Sequence, residues 1–296
     1  MASHAPVMVA QVLQHLAPER GGVFVDATVG LGGHARAVLE AGASTLIALD
    51  RDPAALGHAR EALVGLTDRV AFVHSDYRRL PEVLDERGIG SVDGILADLG
   101  VSSMQLDEPG RGFSFRRDEP LDMRMDTTTG TTAAEAIRGA DEQTLADVIY
   151  RFGEERYARR IARGIAAAGG TIETTGRLAD VVRRAVPRKG YSRIDPATRT
   201  FQAIRIWVNR ELDGLDAFLA AAAGRLNPGG RLVVIAFHSL EDRVVKHTLR
   251  ALQAAGTGLT VLTKRPMVPD EAEIERNPRA RSAKLRAAVA LVEGSD

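Results

Sequence analysis

The chain has 296 residues, enough for one large domain or two ordinary ones, and its 45% apolar content supplies a substantial core. Thirty-nine basic side chains balance 39 acidic ones, so no global field favours nucleic acid, and any such binding must come from local patches. The absence of cysteine excludes disulfides, thiolate zinc sites and thiol nucleophiles together.

Residues 1–16 lack a basic start and an uninterrupted apolar run, and no later stretch reaches ~18 apolar residues. The chain is therefore expected to be soluble and cytoplasmic, with no membrane partner. No internal repeat or long low-complexity segment is present, and no metal-ligand spacing.

Residues 6–16 predict an amphipathic helix, with Pro6 near its first turn and Val9, Val12, Leu13 and Leu16 on one side. It either covers a ligand mouth or packs as ordinary core. Residues 23–25 are a short apolar run that ends in Asp26 and the turn Ala27-Thr28-Val29-Gly30-Leu31-Gly32-Gly33-His34, and a helical pattern through Ala35, Val38 and Leu39 follows. This is strand, loop, helix. Glycines at such a junction let a ligand approach bare backbone, and the N–H groups that open the helix favour an anion. A second apolar run, residues 45–49, ends in Asp50, roughly 20 residues after Gly30. That is where an acid accepts hydrogen bonds from ribose hydroxyls. The expected ligand is an adenosine carrying a tail.

Gly30-x-Gly32-x-x-Ala35 also fits the dinucleotide fingerprint. Asp26, however, would repel a pyrophosphate and could hold the ammonium of a methionine tail, which favours S-adenosylmethionine. A dinucleotide, or a glycine loop that is only a tight turn, stays open at this point.

Residues 53–63 predict a helix, and residues 70–74 a third strand ending in Ser75-Asp76-Tyr77. On three adjacent strand ends, Asp76 would accept from an adenine amino group and Tyr77 would offer a flat face; the alternative is a polar turn with one packed aromatic. Residues 92–97 form the fourth strand, ending in Asp98-Leu99-Gly100-Val101-Ser102-Ser103, where a substrate would meet the donor. The next strand signal follows Asn227-Pro228-Gly229-Gly230. Far more chain intervenes than one crossover helix needs. Helical patterns at 132–137, 142–152, 154–168 and 175–185 predict a small helical domain over residues 107–198, set into a sheet domain of 1–106 and 199–296. A long helix over 198–226 returns the chain to a strand at 232–237. Ser239 then reads as the cap of a helix over 240–254, and residues 259–262 and 287–291 as a final hairpin-like pair.

Several segments together resemble one family. They are His4-x-Pro6-Val7, Asp26-Ala27-Thr28-x-Gly30-x-Gly32-Gly33-His34, Asp98-Leu99-Gly100-Val101-Ser102-Ser103-x-Gln105-Leu106-Asp107 and Arg111-Gly112-Phe113-Ser114-Phe115. Further on come Pro120-Leu121-Asp122-Met123-Arg124-Met125, Ala197-Thr198-Arg199-x-Phe201-Gln202-Ala203, Phe237-His238-Ser239-Leu240-Glu241-Asp242-Arg243 and Asn277-Pro278-Arg279-x-Arg281-Ser282-x-Lys284-Leu285-Arg286. The chain resembles, from end to end, the MraW family of bacterial small-subunit ribosomal RNA methyltransferases. The resemblance implies an α/β fold, a class I (Rossmann-like) S-adenosylmethionine-dependent methyltransferase sheet with an inserted all-helical domain that recognises substrate. It implies methyl transfer to the exocyclic N4 of one decoding-region cytidine in 16S rRNA, the RNA carried in the small ribosomal subunit. Donor contacts are implied at Gly32, Gly33, His34, Asp50, Tyr77, Asp98 and Gln105. Tyr77 replaces a frequent Phe and Met104 a frequent Pro; an aromatic face survives the first change and Gln105 stays in register through the second.

The cytosine amine shares its lone pair with the ring, so a hydrogen-bond acceptor must localise that pair toward the methyl carbon. Amino methyltransferases acting on DNA commonly use Asn/Asp/Ser-Pro-Pro-aromatic after strand four, and this chain has Asp98-Leu99-Gly100-Val101 there. The acceptor candidates are Asp98, a loop carbonyl, Ser102 and His238, with the Asp98 loop favoured and His238 positioning the base. Without cysteine, attack at pyrimidine carbon 5 is closed. Direct in-line displacement on an unstacked base is left.

Arg183, Arg184, Arg188, Lys189 and Arg193 around Tyr191, and Arg279, Arg281, Lys284 and Arg286, are candidate RNA contacts; each cluster could equally be a solvated face. Rival readings are an NAD-linked oxidoreductase, an RNA-binding assembly factor with a disused donor pocket, and a methyltransferase for another rRNA base. A homodimer stays open.

Overall fold

The computed structural model describes residues 6–187 and 195–292. The chain divides into two compact units, residues 1–100 with 212–296 and residues 101–211.

The first unit opens with α1 (Val9–Leu16), whose Val12 and Leu16 are buried with Phe24 and Leu39. It continues through β1 (Val23–Asp26), α2 (Gly33–Glu40), β2 (Thr45–Asp50), α3 (Pro53–Ala62), β3 (Val70–His74), α4 (Leu80–Asp85) and β4 (Val92–Asp98). After the second unit it resumes with α11 (Leu215–Gly224), β5 (Leu226–Ala236), α12 (Ser239–Ala254), β6 (Leu259–Val261), α13 (Glu271–Arg276) and β7 (Lys284–Ala290). Among the described residues the strands form one seven-stranded sheet, ordered β3-β2-β1-β4-β5-β7-β6. Strands β1 to β5 run parallel. Strand β7 runs antiparallel between β5 and β6.

Side-chain alternation feeds two cores. Phe24, Leu96, Val233 and Ile235 point to one face, and Val25, Ile95, Leu232 and Val234 to the other. Burial on both faces explains why these strands read as continuous apolar runs. The order turns outward on either side of β1 and β4, so the crevice for a ligand lies beyond the carboxyl ends of those strands. This is the class I methyltransferase sheet that the resemblance implies.

The second unit contains α5 (Ser103–Asp107), α6 (Ala133–Gly139), α7 (Glu142–Gly153), α8 (Ala158–Ala168), α9 (Thr175–Ala185) and α10 (Ala197–Asn209). Ile149, Ile161, Ile165, Leu178, Val182 and Ile204 are buried together. Gly153 permits the close approach of α7 and α10, because a Cβ there would stand 2.7 Å from the Arg199 carbonyl oxygen. Gly153→Ala is expected to destabilise this unit by about 1–3 kcal/mol by overpacking, read as a lower urea midpoint; an unchanged midpoint would contradict that packing.

The helix expected over 198–226 is two helices. Asn209 ends α10: its side chain accepts from the Met125 N–H at 2.7 Å and donates to the Met123 carbonyl at 2.7 Å, and Arg210 follows with φ 51°. Leu226 already belongs to β5, so that strand starts before the expected 232. The units change at 100/101 and 211/212, where the sequence pattern suggests 106/107 and 198/199, because α5 and α10 pack with the helical core. The final strands do pair, but α13 lies in their connection and β7 begins at Lys284. The short helices α4, α5 and α13 escape the periodicity argument. Among the described residues no helix is long and apolar enough to cross a membrane.

Candidate active site

Three carboxylates end three of the central strands: Asp26 on β1, Asp50 on β2 and Asp98 on β4. The loop after β1 is tied to its neighbours by main chain. The Val29 N–H donates to the Leu49 carbonyl and the Gly32 N–H to the Val29 carbonyl, both at 2.8 Å. Gly32 has φ 79°, a left-handed conformation that favours glycine. A Cβ on Gly33 would stand 2.9 Å from Pro6 Cγ, so the segment before α1 closes on this loop while α1 itself packs in the core.

The Asp98 N–H donates to Thr28 Oγ1 at 2.7 Å, which links the tips of β1 and β4. In the sequence, the only signal for Thr28 is its place inside the Asp26–His34 motif.

Asp26 is 2% exposed. Its Oδ1 accepts from the Thr28 N–H at 3.2 Å, and its buried Oδ2 has no partner among the described residues. Burial pushes its carboxyl up to about 7, against the pull of His34 and the Thr28 N–H. Asp50 accepts from the Gly30 N–H and the Asp52 N–H, each at 2.9 Å. Burial raises it to about 6 despite those bonds. Asp98 also has a buried oxygen, Oδ1, without a partner among the described residues. Buried ionised oxygens without donors are unfavourable unless a cation meets them. An ammonium and a sulfonium fit this set; a pyrophosphate does not.

His34, in the first turn of α2, is buried, with Nε2 3.5 Å from Asp98 Oδ2. Burial opposes its charged form, but Asp98, Asp26 and Glu273 hold the imidazole above its ordinary range.

At the end of β3, Tyr77 packs on Phe218 with ring centroids 4.7 Å apart, and burial raises its hydroxyl. Asp76, expected to accept from an adenine amine, is engaged by Arg78 at 2.7 and 2.5 Å and caps the following turn. Despite burial, that pairing holds its carboxyl below the usual range.

His238, at the end of β5, and not Ser239, caps α12. Its Nδ1 accepts from the Glu241 N–H at 3.3 Å, and its Nε2 lies 3.1 Å from Glu241 Oε1. The tautomer that caps the helix carries its proton on Nε2, so the ring presents no acceptor to an amine. Glu241, buried at 2% exposure, also accepts from the Phe237 N–H at 2.9 Å.

In the helical unit, Ser102 and Gln105 cap α5 reciprocally. Ser102 Oγ accepts from the Gln105 N–H at 3.2 Å and Gln105 Oε1 from the Ser102 N–H at 3.0 Å. The hydroxyl expected as a candidate acceptor therefore has a local structural partner. In the motif 120–125, Asp122 and Arg124 pair at 2.8 and 2.9 Å, and Arg111 donates to the Arg124 and Met125 carbonyls; these residues build the loop.

The basic clusters divide. Arg188, Lys189, Tyr191 and Arg193 lie outside the described residues. Arg183 pairs with Asp195 at 2.9 Å. With Arg160 and Arg184, both exposed, it lines a cavity of about 450 Å³ completed by Asp180, Val186 and Pro187. In the second cluster, Lys284 and Arg286 are two apart on β7, so they share a face and both meet Asp242, at 3.4 and 2.6 Å. Lys284 is thus engaged within the sheet unit, which corrects its reading as a free phosphate contact. Arg281 is exposed and Arg279 half-buried.

The family model described as the MraW methylase family matches residues 1–291. A ribosomal RNA small subunit methyltransferase H of Sorangium cellulosum is 52% identical over 287 residues, covering 96% of this chain and 90% of that protein. Proteins of the same name from a Cyanothece species and from Geobacter sulfurreducens are 53% and 50% identical. They cover 97% and 98% of this chain, and 95% and 99% of their own lengths.

Proposed function

The chain belongs to the MraW methylase family, and from that premise we propose that it methylates the exocyclic N4 of a decoding-region cytidine in 16S rRNA, with S-adenosylmethionine as donor. The observation that carries the donor is the pair of buried oxygens without a partner among the described residues, Asp26 Oδ2 and Asp98 Oδ1, beside a glycine loop at the sheet's switch point. The cysteine-free chain and an acid at the tip of β4 support attack by an amine rather than by a ring carbon.

When bound, the donor supplies an electrophilic methyl carbon and carries off the electron pair of the broken carbon–sulfur bond. The chain's own groups do the rest. Gly32, Gly33 and His34 offer backbone to the donor. Asp50 accepts from ribose hydroxyls with lone pairs left over from Gly30 and Asp52. Tyr77 and Gln105 are the further donor contacts, and Asp26 takes the ammonium. Asp98 accepts a hydrogen bond from the amine and localises the nitrogen lone pair toward the methyl carbon. His238 is a positioning residue through its cap on α12, and Ser102 acts through its cap on α5.

The helical unit, with Arg184, Arg188 and Lys189, holds RNA phosphates, aided by Arg279 and Arg281 of the sheet unit. Replacing Arg188 and Lys189 with Glu is expected to lower methylation of ribosomal RNA on the order of tenfold at low salt with donor affinity unchanged. Equal activity in the double variant would remove the RNA role of this run.

Calorimetric titration tests the donor directly. S-adenosylmethionine is expected to bind and NAD not to bind; the reverse would support an oxidoreductase. Binding of donor without methyl transfer to either free 16S rRNA or small subunits would support the assembly-factor reading.

A further inference from the structure

We propose that His34 is the second station for the proton the cytosine amine must shed, receiving it from the Asp98 carboxylate that meets the amine. This rests on the reading of Asp98 given above. The nitrogen uses its lone pair to form the new carbon–nitrogen bond and must lose one proton to end neutral. Asp98 takes that proton on the oxygen facing the amine; a half-turn of the carboxyl group carries the O–H to the side where the other oxygen now stands 3.5 Å from His34 Nε2, and the ring takes the proton as the carboxylate is restored.

The environment of His34 is unusual for a core histidine. Its side chain is 6% exposed, Nε2 meets only the Asp98 carboxylate, at the long distance of 3.5 Å, and Nδ1 has no hydrogen-bond partner among the described residues. Buried imidazoles with only a packing role normally close a full hydrogen bond through one ring N–H and leave no second nitrogen buried without a partner. The charged groups acting on this ring are Asp98 at the tip of β4, Asp26 at the tip of β1 and Glu273 on α13, all of them acids. They make the ring a far better proton sink than a lone carboxyl group would be.

The same acids explain why the ring is ready at the right moment. In the ligand-free protein they favour a proton on His34. A cationic donor set against Asp26 and Asp98 offsets them and repels that proton, so the imidazole is neutral when the amine reacts; once the methyl group has left, the sulfur is an uncharged thioether and the acids again favour a proton on the ring. Asp50 acts on Asp26 in turn and belongs to the same charge balance.

The test has two readouts. In the first, the His34 ring is followed by NMR in protein labelled at histidine nitrogen, its signal assigned by its loss in His34→Asn. The ring is expected to titrate at higher pH in the wild type than in Asp98→Asn, and to lose its proton when S-adenosylmethionine is added without RNA. An unchanged titration in both comparisons would overturn the proposal.

The second is the single-turnover rate against pH with saturating donor and unmethylated small subunits. His34→Asn and His34→Gln are expected to lower the plateau about 10²-fold or more and to displace the acid limb, with KM for RNA unchanged. Wild-type rates and pH profile in either variant would overturn it, and the NMR result on wild-type protein stands whether or not a variant folds. If the wild type itself fails to methylate cytidine N4, the reading of the site falls. The ring titration then still reports whether His34 answers to Asp98.

Discussion

Asp98→Asn is expected to lower the single-turnover rate of methyl transfer by about 10²–10⁴-fold, the range typical of removing a positioned proton acceptor. The substitution is nearly isosteric. The backbone N–H of residue 98 keeps its bond to Thr28 Oγ1, so the tips of β1 and β4 stay joined. What changes is the charge and one acceptor oxygen. The amide would aim an N–H₂ group either at the amine, which needs an acceptor, or at His34. A circular-dichroism melt should show at most a modest loss of stability, because the substitution removes the charge that faces His34 Nε2 but also a buried oxygen that has no partner among the described residues. A rate within about threefold of the wild type, taken as well under one decade on the scale above, would remove Asp98 from the chemistry.

Asp26→Asn is expected to stabilise the ligand-free protein at pH 8 and at the same time to weaken S-adenosylmethionine binding. The carboxyl stands at about 7 in the folded state against an ordinary 3.8. The folded state therefore holds a proton that the unfolded chain has lost between those values, and stability falls as pH rises through that window. Above it the full penalty is present, up to about 4 kcal/mol. The Asn variant escapes this at pH 8 and not at pH 3, and it can still accept from the Thr28 N–H through Oδ1. Against the donor the sign reverses, since a buried charge partner is lost, at about 2–5 kcal/mol of affinity. Urea unfolding at the two pH values and calorimetric titration of the donor check both halves. A variant less stable at pH 8 with donor affinity intact would mean that Asp26 is a structural acid.

Local features of this chain were legible because they are written in contiguous residues. The strand at 23–26, its acid, the glycine turn and the opening of α2 follow one another in the sequence and in space. The acids that end β2 and β4 could be read from where apolar runs stop. Partnerships across long separations could not. The break between α10 and α11 depends on Asn209 reaching Met123 and Met125, while the apolar spacing continues on either side of it. The pairing of Lys284 and Arg286 with Asp242 depends on a strand that starts earlier than its apolar residues suggest. His238 reads as a chemical group in sequence and caps a helix in the fold, because histidine is a rare cap and Ser239 beside it is a common one. The helical patterns at 142–152 and 175–185 were readable since each buries one stripe, whereas the limits of the helical unit depend on which core α5 and α10 join.

The proposed reaction is the transfer of a methyl group to a cytidine amine of small-subunit RNA. The measurement that meets it most directly uses methyl-labelled S-adenosylmethionine and small ribosomal subunits from cells lacking the enzyme, followed by digestion of the RNA and identification of the labelled nucleoside by chromatography and mass. Label in N4-methylcytidine, abolished in Asp98→Asn, is the predicted result. Label in any other nucleoside would contradict it, leaving a methyltransferase with a different acceptor.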